Sequence, residues 1–189
     1  MTQEFYIKNM VCDRCVKVLR NELEAEGLNV QEVELGRVII GIKNREQDII
    51  SLLKVLQSNG FLLISSENQK LVEALKIELI LLLRNLPLEQ EGNLSEFLAH
   101  RFQTDYSKIS KIFSSTEKIT VEKYFIKLKI ETVKELIQER DYNFTEIGQL
   151  LNYSNINYLS RQFRAETGMS LSEYKSLKNF NRISLDQIL

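Results

Sequence analysis

The spacing of apolar residues changes once along the chain, near residue 65, and divides the sequence into two parts. Upstream, short segments with alternating apolar residues are interleaved with segments of helical spacing. Downstream, only helical spacing is found. The chain of 189 residues is long enough for two small domains. The sequence therefore predicts an α+β protein with a mixed N-terminal part and an all-α C-terminal part.

The N-terminal part, residues 1–66, predicts four strands and two helices. Strands are expected at residues 4–8, 30–35, 38–42 and 61–64, and helices at residues 15–23 and 48–57. Gly36 lies between the second and third strands, where a hairpin needs a turn. The resulting order, βαββαβ, is that of a ferredoxin-like domain.

Residues 67–92 predict a linker helix followed by a loop, and Pro87 is expected to end the helix. The helix has a heptad pattern of apolar residues, at Val72, Leu75, Leu79, Leu82 and Leu86. Two interpretations of this surface are open. It is either buried against one or both neighbouring domains, or it forms a homodimer contact through the 72–86 helix.

The C-terminal part, residues 93–180, contains two units of helix, turn and helix, and a predicted tail at residues 181–189 follows it. The second unit is the clearer one. Asn143 and Glu146 have the spacing of a capping box at the start of its first helix. Asn152 stands where the turn needs a left-handed residue, and Ser154 is expected to cap the following helix.

The helix after this turn has one apolar face and one polar, basic face. Leu159 and Phe163 point inward at helical spacing. The opposite face carries Asn157, Tyr158, Arg161 and Arg164. Such side chains hydrogen-bond to base edges and phosphates, and a helix that follows a tight turn can enter the major groove. The alternative is that this face is only solvated surface.

The first unit repeats the pattern less strongly. Residues 94–98 predict a helix and residues 103–105 a turn, and the next helix, residues 106–114, is expected to bury Ile109, Ile112 and Phe113. Its exposed face offers Ser107, Ser110 and Lys111, of which Lys111 is expected to contact a phosphate or a base. A long helix over residues 121–138 connects the two units.

Residues 93–178 resemble the AraC-type DNA-binding domain, a double helix-turn-helix. The runs that match this family are residues 109–113, 119–124, 144–154, 158–163 and 167–174. Lys118 and Asn152 stand where the family has glycine. The resemblance implies that both recognition helices enter successive major-groove segments on one face of the DNA. Carried over by position, the implied contacts are Ser107, Ser110, Lys111, Asn157, Tyr158 and Arg161.

Cys12 and Cys15, the two cysteines of the chain, lie between the first strand and the first helix. Two thiols at a helix N-terminus favour a soft metal ion such as Cu(I), or a redox pair in a reducing compartment. Residues 4–65 also resemble a heavy-metal-associated domain, through Met10, the two cysteines and the Gly60 corner. The alternative is that the cysteines only pack. No cofactor is certain from the sequence; Cu(I) or another thiophilic metal ion is the candidate.

Together these patterns predict a sequence-specific transcription regulator that binds double-stranded DNA and responds to a thiophilic metal or a redox signal through Cys12 and Cys15. The alternative is a copper-binding chaperone or buffer whose helical domain docks a partner protein. Because the net charge is −1, attraction to DNA depends on local charge.

Other functions and locations are not expected. The sequence has no glycine-rich phosphate loop and no nucleophile–base set, so an enzyme is not predicted. The sole histidine, His100, is expected to be a packing or surface residue. The N-terminus is unlike a signal peptide, and the longest apolar run is too short for a membrane helix. A cytoplasmic location without a membrane partner is therefore expected.

Overall fold

The computed structural model describes residues 1–88 and 93–177 and, beyond them, positions 180, 182, 183, 185 and 188. The chain divides into two compact units, Met1–Ile77 and Glu78–Leu189. The loop predicted after the linker helix lies mostly outside the described residues, and so does much of the predicted tail.

The first unit is a four-stranded antiparallel sheet with helices. Its elements are β1 (Thr2–Lys8), α1 (Asp13–Ala25), β2 (Asn29–Glu34), β3 (Arg37–Gly41), α2 (Arg45–Ser58) and β4 (Leu62–Ile64). The strand order is β2-β3-β1-β4, and each neighbouring pair is antiparallel. The predicted order of strands and helices is thus observed, and the chain is α+β.

One core holds this unit together. Alternate residues of the central strands, Phe5 and Ile7 in β1 and Val38 and Ile40 in β3, are buried. The two helices add Leu19, Leu23, Leu52, Val55 and Leu56 to the same cluster. Because side chains alternate between the two faces of a strand, this pattern places α1 and α2 against one face of the sheet.

The linker helix, α3 (Glu67–Arg84), ends three residues before Pro87, and the division between the units falls within its range. Of the five heptad residues, Val72, Leu75 and Leu79 are buried within the chain. Leu82 and Leu86 are half-buried. Burial within the chain therefore accounts for the first three positions. A homodimer contact through the 72–86 helix stays a prediction and is confined to the last two.

The second unit is helical over its described residues. Its elements are α4 (Leu94–Phe102), α5 (Tyr106–Glu117), α6 (Val121–Glu139), α7 (Phe144–Leu150), α8 (Ile156–Thr167) and α9 (Leu171–Lys175). The long α6 follows α5 and carries ten buried residues, among them Tyr124, Leu128 and Val133. The helix before it, α5, and the helices after it, α7, α8 and α9, contact this central helix.

Side-chain caps set where several of these helices begin. The predicted capping box of Asn143 and Glu146 is confirmed: Asn143 Oδ1 accepts the Glu146 N–H at 3.0 Å, and Glu146 accepts the Asn143 N–H at 2.7 Å. The cap predicted at Ser154 is wrong, because Asn155 caps α8 by accepting the Tyr158 N–H at 2.9 Å. Ser154 and Asn155 are both good capping residues, and only the second has its side chain within reach of that N–H.

Among the residues of this unit that the structure describes, four other than glycine adopt the left-handed conformation at helix ends and turns: Gln103, Lys118, Arg140 and Asn152, with φ between 48° and 64°. The positive φ of Asn152 confirms the left-handed conformation that was predicted in the turn between α7 and α8. Lys118 ends α5 with φ 62°. This conformation is strained for lysine and unstrained for glycine, because the lysine Cβ crowds the backbone.

We expect Lys118→Gly to raise the free energy of unfolding by about 0.5–1 kcal/mol, because glycine adopts a positive φ without strain. The matched control is Lys111→Gly in the middle of the same helix, which should lower it by about 1 kcal/mol. Urea unfolding of both variants measures the two changes. A loss of stability in Lys118→Gly equal to that in Lys111→Gly would contradict the assigned conformation.

Candidate nucleic-acid interface

The two faces of α8 are separated as its sequence predicts. Leu159 and Phe163 have no exposed surface, and 47 % of Tyr158 is exposed. The exposed residues of the helix include Asn157, Tyr158, Arg161 and Arg164. The face opposite the core therefore carries two guanidinium groups, one carboxamide and one phenol that face solvent.

Tyr153, in the turn between α7 and α8, fixes the position of α8. It is 8 % exposed, and its hydroxyl donates a hydrogen bond of 2.7 Å to Gln162 Oε1. Its ring centroid lies 6.0 Å from that of Tyr158. The guanidinium carbon of Arg161 lies 6.0 Å from the Tyr158 ring centroid, at the outer limit of a cation–π contact. The turn thus orders the start of α8 while the Arg161 side chain stays exposed.

The nearest acidic residue along α8 is already paired. Glu166, in the last turn, binds Lys123 of α6 through its carboxylate, and the Glu166 side chain is 13 % exposed. Because its charge is offset by Lys123, this carboxylate competes weakly for Arg161 and Arg164. The polar face of α8 keeps its positive character.

The first helix-turn-helix presents a helix, α5, that is comparable to α8. In α5, Ile109 and Phe113 are buried. Ile112 was predicted to be buried and is half-buried, since it lies at the border of the apolar face. Of the three candidate contacts, Ser107 and Lys111 are exposed and Ser110 is half-buried.

Tyr106 holds the start of α5 against α6. Its hydroxyl donates a hydrogen bond to Glu122. Burial, together with this hydrogen bond, raises the pKa of Tyr106 above its ordinary value. Burial alone would raise the pKa of Glu122, but the hydrogen bonds that its carboxylate accepts prevail, and this pKa lies below its usual range. The carboxylate is therefore charged at neutral pH and fixes the tyrosine.

Lys129 of α6 lies against aromatic rings. Its Nζ is 4.1 Å from the centroid of Tyr153 and 5.7 Å from that of Phe125. Burial lowers the pKa of Lys129 to about 8. The ring faces favour the ammonium form, but the loss of water is the larger effect. Lys129 therefore holds the turn between α7 and α8 against α6, although burying its charged group costs solvation free energy.

Sequence reasoning missed the residues that hold α5 and α8, namely Tyr106, Glu122, Lys123, Lys129 and Glu166. Their contacts join positions that are 16 or more residues apart along the chain. Local periodicity carries no signal for such pairs, and the fold brings them together.

The two thiols of the N-terminal unit, Met1–Ile77, lie close together. Cys12 Sγ is 3.3 Å from Cys15 Sγ, and both cysteines are half-buried and free. Cys12 is the N-cap of α1. Burial, reinforced by the hydrogen bond with Cys12, raises the pKa of the Cys15 thiol. At this spacing both sulfur atoms can bind one soft metal ion.

The loop that carries the thiols is fixed on its N-terminal side. Asn9 has a positive φ of 75°, and its N–H donates to Glu73 Oε1 at 2.9 Å. Its side-chain amide donates to the carbonyl of Gly60 at 3.1 Å. Met10 has no exposed surface. Within the described part of the chain, no group of three or more His, Cys, Asp or Glu side chains could hold a metal ion, and His100 is exposed on α4.

A family model described as a helix-turn-helix domain matches residues 98–176. This part of the chain is thus similar to helix-turn-helix domains. A search for relatives finds the "Probable transcriptional regulator LumQ" of Photobacterium leiognathi, 27 % identical over 129 residues. The alignment covers 68 % of this chain and 50 % of that protein, so the chain spans about half the length of this curated relative.

Among solved structures, the C-terminal domain of AraT, a response regulator from Geobacillus stearothermophilus, has a similar fold. The TM-score is 0.51 at 18 % identity, over 63 % of this chain and 92 % of that chain. This likeness concerns the fold alone. Over the part of the chain that is covered, the fold is that of this C-terminal domain. Among the described residues, none of the helices is both long enough and apolar enough to cross a membrane.

The low pKa of Lys129 predicts a change of stability with pH. Below pH 8 the folded state bears the cost of burying an ammonium. Between pH 8 and 10.5 the folded lysine has lost its proton while the unfolded one keeps it, so the free energy of unfolding rises with pH, by roughly 3 kcal/mol over this interval.

Lys129→Met should therefore be more stable than the wild type at pH 7, and this advantage should shrink toward pH 10. Urea unfolding at the two pH values measures it. Lys108→Met, at an exposed lysine of α5, is the matched control and should show no such trend. An advantage of Lys129→Met that stays constant with pH would contradict the lowered pKa.

Proposed function

We propose that this chain is a sequence-specific DNA-binding transcription regulator in which α5 and α8 enter successive major-groove segments. The observation that carries this proposal is the exposed face of α8, where Asn157, Tyr158 and Arg161 stand opposite the buried Leu159 and Phe163. Arginine and asparagine can form paired hydrogen bonds with guanine and adenine in the major groove.

Each candidate contact has a role in this proposal. Lys111 and Arg161 supply the main cationic contacts, and Arg164 adds a further positive charge at the end of α8. Asn157 and Tyr158 supply base discrimination, and Ser107 and Ser110 hydrogen-bond to phosphates or bases. The match to a helix-turn-helix domain and the similarity to the probable transcriptional regulator LumQ support the assignment.

We also propose that the N-terminal unit, Met1–Ile77, is a ferredoxin-like, heavy-metal-associated-like domain. In this proposal it binds a thiophilic ion such as Cu(I), or senses redox state, through Cys12 and Cys15. The sulfur separation of 3.3 Å and the sheet order β2-β3-β1-β4 support this proposal. In a regulator, binding at the thiols would change the affinity for DNA. In the alternative, a copper chaperone or buffer, it would not.

We expect Arg161→Ala to weaken binding to a selected duplex by about 1–3 kcal/mol, because it removes a base or phosphate contact from the recognition helix. Fluorescence anisotropy with duplexes selected by the full chain measures this loss. Arg45→Ala, at an exposed arginine of α2, is the matched control and should bind like the wild type. Equal affinity of the Arg161 variant and the wild type would contradict the placement of α8 in the groove.

The reduced full chain should bind one Cu(I) ion in anaerobic competition with a chromogenic chelator, and the variant with Cys12→Ser and Cys15→Ser should not. Thermal unfolding of the apo variant checks that it folds. For a metal-responsive regulator, we expect the affinity for the selected duplex to change by about fivefold or more when Cu(I) binds. Failure to bind Cu(I) would contradict the metal site, and binding with an unchanged DNA affinity would favour the chaperone or buffer.

A further inference from the structure

Two adjacent residues in the first turn of α6 contact the two recognition helices. Glu122 accepts a hydrogen bond from the hydroxyl of Tyr106, the first residue of α5. Lys123 donates to the carboxylate of Glu166, in the last turn of α8. A single turn of α6 therefore touches one recognition helix from each helix-turn-helix unit.

This turn is itself firmly placed. Val121 and Tyr124, which flank the two polar residues, have no exposed surface, and the Thr120 hydroxyl accepts the Lys123 N–H at 3.2 Å as the helix cap. Glu122 and Lys123 thus project from a turn whose backbone is fixed by packing and capping. The polar contacts can transmit that fixed geometry to α5 and α8.

The contact with α8 differs from an ordinary surface ion pair. The Glu166 side chain is 13 % exposed, whereas that of Lys123 is 48 % exposed. A carboxylate that has lost most of its water requires a partner, so breaking this pair costs more than breaking a fully exposed one. The end of α8 is therefore tied to the position of Lys123.

The relative position of α5 and α8 has a direct consequence for DNA. When two recognition helices enter separate major-groove segments, the offset between the helices sets the number of base pairs between those segments. On the basis of the proposed function, we propose that Glu122 and Lys123 are positioning residues that fix this offset and thereby select the spacing of the DNA target. The contact residues on α5 and α8 select bases, and this turn of α6 selects the spacing.

The test measures spacing separately from stability and base preference. Duplexes bound by the full-length wild type are selected from a random library, and a second probe inserts two base pairs between the two selected segments. For the wild type we expect the insertion to lower affinity by about 100-fold, since one helix must give up its base contacts. The measured quantity is the ratio of the affinities for the two probes.

Lys123→Glu and Glu166→Lys should each reduce this ratio to about tenfold or less, because α8 then adapts to the altered spacing. The double variant, Lys123→Glu with Glu166→Lys, should restore it by reversing the pair. Tyr106→Phe should also lower the ratio, at the α5 end. Base preferences within each segment should stay those of the wild type.

The two single variants change the net charge in opposite directions, which controls for general attraction to DNA. A general charge effect would strengthen one variant and weaken the other without changing the ratio. Circular dichroism melting checks that each variant folds, and Glu166→Gln replaces any single variant that does not. An unchanged ratio in the single variants, or no recovery in the double variant, overturns the inference and leaves the proposed function intact. A wild type that selects no duplex contradicts the proposed function itself.

Discussion

The burial of Leu159 and Phe163 is the constraint on which the candidate interface depends. Neither side chain retains exposed surface, and the Phe163 ring meets the Tyr174 ring edge-on at 5.5 Å. Burying two such side chains contributes about 1.5–3 kcal/mol each, which exceeds a cation–π contact on the exposed face. Packing therefore sets the rotation of α8 about its axis, and the helical period then points Arg161 away from the core.

The central helix α6 supports both helices of the candidate interface. Its buried residues support the helices on both sides of it, and its polar residues fix the end of α8 and the start of α5. Lys129 adds a contact with Tyr153, in the turn between α7 and α8. Each of the helices α5 and α8 is thus held by apolar burial and by at least one polar contact with α6. The exposed faces are free of this structural task and can serve binding.

Sequence reasoning succeeded where the signal is local. Alternation placed the strands, helical spacing placed both faces of α8, and the capping box at Asn143 fixed the start of α7. It failed where neighbours compete or where the signal is distant. Ser154 and Asn155 have nearly equal capping chemistry, and the choice depends on where α8 begins. The lysine side chain itself does not indicate the left-handed conformation of Lys118, and only the match of this position to a family glycine points to it. The pair of Lys123 and Glu166 spans 43 positions.

The central claim is that α5 and α8 together form the surface that meets a duplex. Backbone amide NMR shifts, recorded as the full chain is titrated with a duplex that it has selected, test this most directly. The account predicts that the largest changes cluster in residues 106–114 and 155–164, with little change in β1 to β4. Large changes confined to the sheet unit, with both helices unaffected, would contradict it.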